Sequence, residues 1–182
     1  MSDPVHEELT VTPIGHIRTA HTERETTPVQ TSLNPDERGR VVLLPEMVDG
    51  LLELDGFDHA WLLTWLAPAP GDPRPVALRQ TPYLMTTDRH PIGIFAMRGP
   101  RRPNPIGLHL VRVVALTADG FEFAGVDMLD GTPVLDIKPW AAPLDVPSGL
   151  TTSGVRNGWF DAADLSGPHT PGSLRPPDAG RS

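Results

Sequence analysis

Cysteine is absent, which excludes disulfides, thiolate nucleophiles and thiolate–zinc sites. Long apolar runs are absent too. The longest, residues 60–69, is interrupted by Thr64 and Pro68 and is too short to span a bilayer. Residues 1–9 are polar and acidic, unlike a secretory leader. Together these features predict a soluble, cytoplasmic protein with no membrane partner. Lysine occurs only at Lys138, so arginine carries nearly all the positive charge. The formal net charge of −8 argues against a general nucleic-acid coat protein.

Proline and glycine, by contrast, are plentiful. With 22 prolines and 17 glycines in 182 residues, the chain favours short strands and turns over a helix bundle. The expected fold is mainly β: one domain over residues 11–160, its mixed sheet closed into a small barrel with one or two short helices. Residues 1–10 and 165–182 read as loose, polar tails. Strands are expected at 11–17, 40–44, 59–66, 76–80, 93–97, 108–116, 121–127 and 133–137. Asp119-Gly120 is the expected hairpin turn. Pro45 is placed to open a short helix with Met47, Val48, Leu51 and Leu54 on one face, ended by Gly56. His59 lies in an apolar run and reads as a packed core histidine.

Charge is uneven along the chain. No carboxylate side chain occurs between Asp88 and Asp119, whereas Arg89, Arg98, Arg101, Arg102 and Arg112 all fall there. The centre of this stretch is Gly93-Ile94-Phe95-Ala96-Met97-Arg98-Gly99-Pro100-Arg101-Arg102-Pro103-Asn104-Pro105-Ile106-Gly107. Its prolines fix φ and so stiffen the loop, and a stiff loop holds a ligand at little ordering cost. The guanidinium fork matches a carboxylate or phosphate. A second segment runs Asp127-Met128-Leu129-Asp130-Gly131-Thr132-Pro133-Val134-Leu135-Asp136-Ile137-Lys138-Pro139-Trp140. Asp127, Asp130 and Asp136 could accept hydrogen bonds from ribose hydroxyls or an ammonium. They could also bind a divalent ion, although the spacing lacks the calcium-loop pattern. Lys138 reads either as a site cation or as a structural partner of Asp136. Neither a nucleophile elbow, nor zinc-ligand spacing, nor a dinucleotide-binding glycine motif is visible.

These two segments resemble the TsaA-like family, also known through the TrmO tRNA methyltransferases. The family's loop reads roughly Gly-x-Phe-Ala-Thr-Arg-Ser-Pro-x-Arg-Pro-Asn-Pro-Ile-Gly-Leu-Ser, matched from Gly93 to His109. Its Asp-x-Leu-Asp-Gly-Thr-Pro-x-x-Asp-Ile-Lys-Pro-Tyr is matched from Asp127 to Trp140. Pro13-Ile14-Gly15 with Ile17-Arg18, Pro28-x-Gln30, Gly56-Phe57-x-His59 and Gly158-Trp159 extend the likeness over about residues 11–160. The resemblance implies a small β-barrel that binds S-adenosylmethionine, with sites near a homodimer interface. The implied reaction methylates the exocyclic nitrogen of threonylcarbamoyl-adenosine beside the tRNA anticodon.

Under this resemblance, cofactor contacts map onto Phe95, Arg98, Arg102, Asn104, Asp127, Leu129, Asp130, Thr132 and Lys138. Arg98, Asp130 and Lys138 take the catalytic roles, and Arg101, His109 and Trp140 face the acceptor; no metal is implied. A single-stranded tRNA loop can splay out its target base cheaply. Met97, Gly99, His109 and Trp140 stand where the family has hydroxyl residues, so the acceptor pocket differs from the family pattern. A small-molecule methyl acceptor, a non-catalytic cofactor-binding module and a metal-dependent hydrolase are the alternatives.

Overall fold

The computed structural model describes residues 8–66, 76–82, 90–149, 167 and 169–174. Eight strands are present among them: β1 (Gly15–Arg18), β2 (Arg38–Leu43), β3 (His59–Trp65), β4 (Arg79–Gln80), β5 (Ile92–Gly93), β6 (Ile106–Thr117), β7 (Gly120–Ala124) and β8 (Pro133–Pro139). Six of them close into a barrel in the order β1-β2-β7-β6-β3-β8, and β4 pairs with β5 in a separate ribbon. The expected barrel is there, but every strand pair is antiparallel, so the sheet is not mixed.

Two-residue alternation explains the closure. In β3, Ala60, Leu62 and Thr64 are fully buried, while His59, Trp61, Leu63 and Trp65 face outward and are only half-buried. In β2, Val41 and Leu43 point inward and Arg38 and Arg40 outward. Ile17, Val41, Leu62, Val111, Phe121, Phe123, Val126, Met128 and Val134 form the interior. Two 3-10 segments, Pro45–Leu51 and Leu54–Gly56, plug one end and bury Leu51 and Leu54 in that core. At the other end, residues 125–132 cross beneath the barrel and bury Val126 and Met128.

Several expected elements shift. The first strand begins at Gly15 rather than residue 11, and the segment after Pro45 is 3-10 rather than α. A three-residue period puts Val48 and Leu51 on one face and leaves Met47 39% exposed. The β6–β7 turn uses Ala118 and Asp119, and Gly120 pairs with Thr117 inside the ladder. The strand expected over 93–97 ends at Gly93, where Ile94–Ala96 forms a 3-10 turn. His59 is not a core histidine: strand parity turns it outward, edge-on to Trp140 with ring centroids 5.9 Å apart.

Within the expected tail, residues 169–174 are docked. The Val29 N–H donates to the His169 carbonyl at 2.8 Å, and the helical turn α2 (Pro171–Leu174) packs on Arg24–Thr26; α1 is Ala142–Asp145. Residues 1–7, the 67–75 loop and the Gly158-Trp159 motif lie outside the described residues.

Gly39 faces Phe123 across β2 and β7, and the phenyl ring fills the space a side chain at 39 would take. Phe123→Ala would therefore open a cavity spanning two strands. We expect a loss of about 3–5 kcal/mol, read as a lower urea midpoint at unchanged slope.

Candidate functional site

Strand pairing places both motif segments at one end of the barrel. Strand β3 lies between β6 and β8 and is antiparallel to both, with Trp65 opposite Ile106 and Thr64 opposite Val134. The arginine loop enters β6 there, and the aspartate turn enters β8 there. The far end of β8 carries Lys138 and Trp140, opposite Trp61 and next to His59. At ~3.3 Å per residue, Lys138 lies roughly 17 Å along the strand from Pro133. The second segment is thus divided between the two ends of a single protomer.

The arginine loop is built on Arg102. Its Nη1 donates to the carbonyls of Ile94 and Met97, both at 2.9 Å. Its guanidinium also sits 5.8 Å from the centroid of the Phe95 ring, in cation–π range. Gln80 Nε2 donates to the Arg101 carbonyl at 3.1 Å and so ties the loop to β4. Arg102, expected to grip a ligand, has Nη1 turned to the loop's own backbone, which explains why residues 94–97 curl instead of extending. Arg98 and Asn104 are exposed, and neither side chain has a hydrogen-bond partner among the described residues. Phe95 is 79% exposed. Arg101 is half-buried.

In the aspartate turn, Gly131 adopts φ 77°, which favours glycine. The Gly131 N–H donates to the Ile17 carbonyl and the Asp130 N–H to the His21 carbonyl, both bonds anchoring the turn on and just beyond β1. Asp130 accepts from the Thr19 N–H at 3.2 Å and pairs with Arg18 at 3.1 Å, while keeping part of its carboxylate in solvent. It borders an open surface recess also lined by Arg18, Arg38, Arg40 and Glu122. Thr132 is buried, its hydroxyl donating to the carbonyl of half-buried Leu129 at 2.7 Å. Lys138 pairs with Asp136 at 2.8 Å, the structural alternative raised by their spacing.

One chain of hydrogen bonds joins the two segments. Asp127 Oδ1 accepts from His109 Nδ1 at 2.7 Å, and Asp127 Oδ2 accepts from the Thr31 N–H at 3.1 Å. The Nε2 of His109 bonds the Thr64 hydroxyl at 2.8 Å. Thr64 is fully buried, and the His109 and Asp127 side chains are 6% and 8% exposed. His109, expected to face an acceptor, is instead inside the barrel. Parity in β6 is the reason: Gly107, His109 and Val111 share the inner face, opposite Ile106 and Leu108. The alternation was readable from the sequence, but the Thr64 contact was not, because the two residues lie 45 positions apart. Asp127, expected to touch ribose, has both oxygens engaged inside the protein. Among the described residues, no three His, Asp or Glu side chains converge as a metal site.

The family model for the tRNA-methyltransferase O N-terminal domain matches residues 16–146. A Pyrococcus abyssi chain named "probable S-adenosyl-L-methionine-binding protein" is 38% identical over 82% of this chain and 74% of its own length. The tRNA (adenine(37)-N6)-methyltransferase of Mus musculus is 33% identical, over 79% of this chain but only 33% of the mouse protein. The crystal structure of TrmO from Pseudomonas aeruginosa superposes with a TM-score of 0.63 at 34% identity. That match covers 87% of this chain and 64% of the solved one, so the chain spans under two thirds of the solved relative.

Gly107 lies directly over the buried network: a Cβ there would collide with both His109 Nε2 and the Thr64 hydroxyl. Gly107→Ala should therefore cost about 1–3 kcal/mol through overpacking. Chemical denaturation checks this, and a variant as stable as the parent contradicts the placement of the imidazole beneath residue 107.

Proposed function

Because the chain belongs to the tRNA-methyltransferase O family, whose model spans residues 16–146, we propose that it transfers a methyl group from S-adenosylmethionine to the exocyclic nitrogen of threonylcarbamoyl-adenosine beside the tRNA anticodon. The observation that carries this reading is the convergence of the two motif segments at one barrel end, tied by the His109–Asp127 bond. It acts as a cytoplasmic enzyme; among the described residues, no helix is long and apolar enough to cross a membrane.

The side chains at that end fit the cofactor's chemistry. S-adenosylmethionine carries a carboxylate, an ammonium, ribose hydroxyls and a sulfonium. Exposed Arg98 matches the carboxylate, and Asn104 adds an amide donor and acceptor. Asp130, partly in solvent, accepts from the ammonium or a hydroxyl. The exposed Phe95 ring offers a π face to a cation. Bound there, the cofactor supplies an electrophilic methyl group. The protein's own work is alignment, since holding two reactants in line contributes several powers of ten without further chemistry. In this reading Phe95, Arg98, Asn104, Leu129 and Asp130 make the contacts. Arg102, Asp127 and Thr132 hold the backbone that presents them.

Lys138 and Trp140 reach this site only from a second copy. The outer barrel face supports such pairing. Three apolar cross-strand pairs lie side by side on β3 and β6: Trp61 with Leu110, Leu63 with Leu108 and Trp65 with Ile106. Ile106 and Leu108 are 46% and 50% exposed. A two-fold axis near the Leu63–Leu108 pair lays the Trp65–Ile106 end of one protomer on the Trp61–Leu110 end of its partner. Lys138 lies opposite Trp61 in the ladder. The arginine loop of one protomer thereby approaches Lys138 and Trp140 of the other, and we assign a homodimer with the site beside its interface. The second reading, a small-molecule acceptor, is favoured by the net charge of −8, which disfavours a polyanion.

Comparing nucleosides from a deletion strain and its parent by mass spectrometry tests the acceptor: the N-methylated nucleoside disappears in the deletion. Its presence in both strains excludes the tRNA reaction, and cofactor binding without tRNA binding selects the small-molecule reading. Light scattering should report a dimer for the parent and a monomer for Leu108→Glu. Arg98→Ala and Asp130→Ala should each weaken S-adenosylmethionine binding by about tenfold, the loss of one hydrogen bond to a charged group, with unchanged circular dichroism.

A further inference from the structure

The buried network connects residues from four places in the chain. Thr64 comes from β3, His109 from β6, Asp127 from the segment below the barrel, and Thr31 from the 3-10 turn Thr31–Leu33. His109 is two residues beyond Gly107, the last glycine of the arginine loop. Asp127 is three residues before Asp130. Among the described residues, the imidazole is thus the one side chain that bonds the strand leaving the first segment to the turn carrying the second.

The two ring nitrogens differ in what they fix. Nδ1 meets a carboxylate, which accepts, so Nδ1 donates. Nε2 meets a hydroxyl, which can donate or accept, and whose threonine is already locked in the β3 ladder. Without the His109 bond, the Asp127 carboxylate keeps, among the described residues, only the Thr31 N–H as a partner. A carboxylate 8% exposed with half its bonding removed is costly to leave in place. Held between buried Val126 and Met128, the segment would shift its carboxylate towards water and load the Asp130 and Gly131 bonds to His21 and Ile17 that set the aspartate turn.

We infer that His109 is a positioning residue for cofactor binding, acting through Asp127 to set the aspartate turn against the arginine loop. The inference rests on the reading of this barrel end as the cofactor site. His109 itself touches neither cofactor nor acceptor, since it lies inside the barrel at 6% exposure. It stands where the family pattern has a serine, whose short hydroxyl lacks the reach of an imidazole bonded at both nitrogens.

Asparagine and glutamine separate the two ring nitrogens. His109→Asn keeps a donor near Nδ1 and loses the Nε2 contact; His109→Gln does the reverse while staying closer in volume. Calorimetry with S-adenosylmethionine should find His109→Asn within about threefold of the parent and His109→Gln weaker by about tenfold or more, the scale of one lost hydrogen bond to a charged group. Asp127→Asn should weaken binding similarly. The double variant His109→Gln with Asp127→Asn should be no weaker than either alone, because both break one link. Equal losses in His109→Asn and His109→Gln would mean that the ring only fills space, and additive losses in the double variant would place the two residues on separate paths. Either result overturns the inference, as does parent-like binding in all variants. A parent that binds no cofactor refutes the functional reading instead. If His109→Asn melts before it can be titrated, the Asp127 cycle alone decides.

Discussion

Asp127 is a carboxylate that folding has taken almost out of water, and it can remain there only while its acceptors are filled. His109 fills one oxygen and the Thr31 backbone the other. The arginine loop, the aspartate turn and the 3-10 turn after Gln30 have little regular secondary structure to hold them. Backbone bonds tie each to the barrel, and this one charge with its two donors links them to one another. The barrel supplies a rigid frame, and the buried carboxylate sets where the loops lie upon it.

The loops are stiff for local reasons. Arg102 turns a flexible cation into an internal clamp on Ile94 and Met97, and Gln80 anchors the next carbonyl. Gly131 gives the aspartate turn a backbone conformation that most residues resist. Proline at 100, 103 and 105 removes further freedom. Preorganisation of this kind suits methyl transfer, in which the protein must align a donor and an acceptor more than it must supply acids or bases.

The two divisions of labour in the site have one origin. Residues that hold the backbone, namely Arg102, Asp127, Thr132 and His109, face inward or into their own loop. Residues free to meet a ligand, namely Phe95, Arg98, Asn104 and part of Asp130, face outward. Lys138 and Trp140 are carried to the opposite end by the extended rise of β8, so a single protomer cannot gather the full motif.

Much was legible in the chain by itself. Apolar runs over residues 59–66 and 108–116, dense prolines and glycines, and the turn signal at Asp119-Gly120 pointed to a small closed β fold. The spacing of Arg98, Asn104, Asp127 and Asp130 marked the barrel end proposed as the site, because stiff polar loops have a signature in residue order. Only the tertiary structure decided which polar groups face solvent and which are used up inside. Arg102 and Asp127 look like ligands in one dimension, and become supports once Ile94, Met97, Thr31 and His109 are brought beside them. Hydrogen-bond partners distant in sequence leave no periodic trace, and closing a barrel is what makes them neighbours.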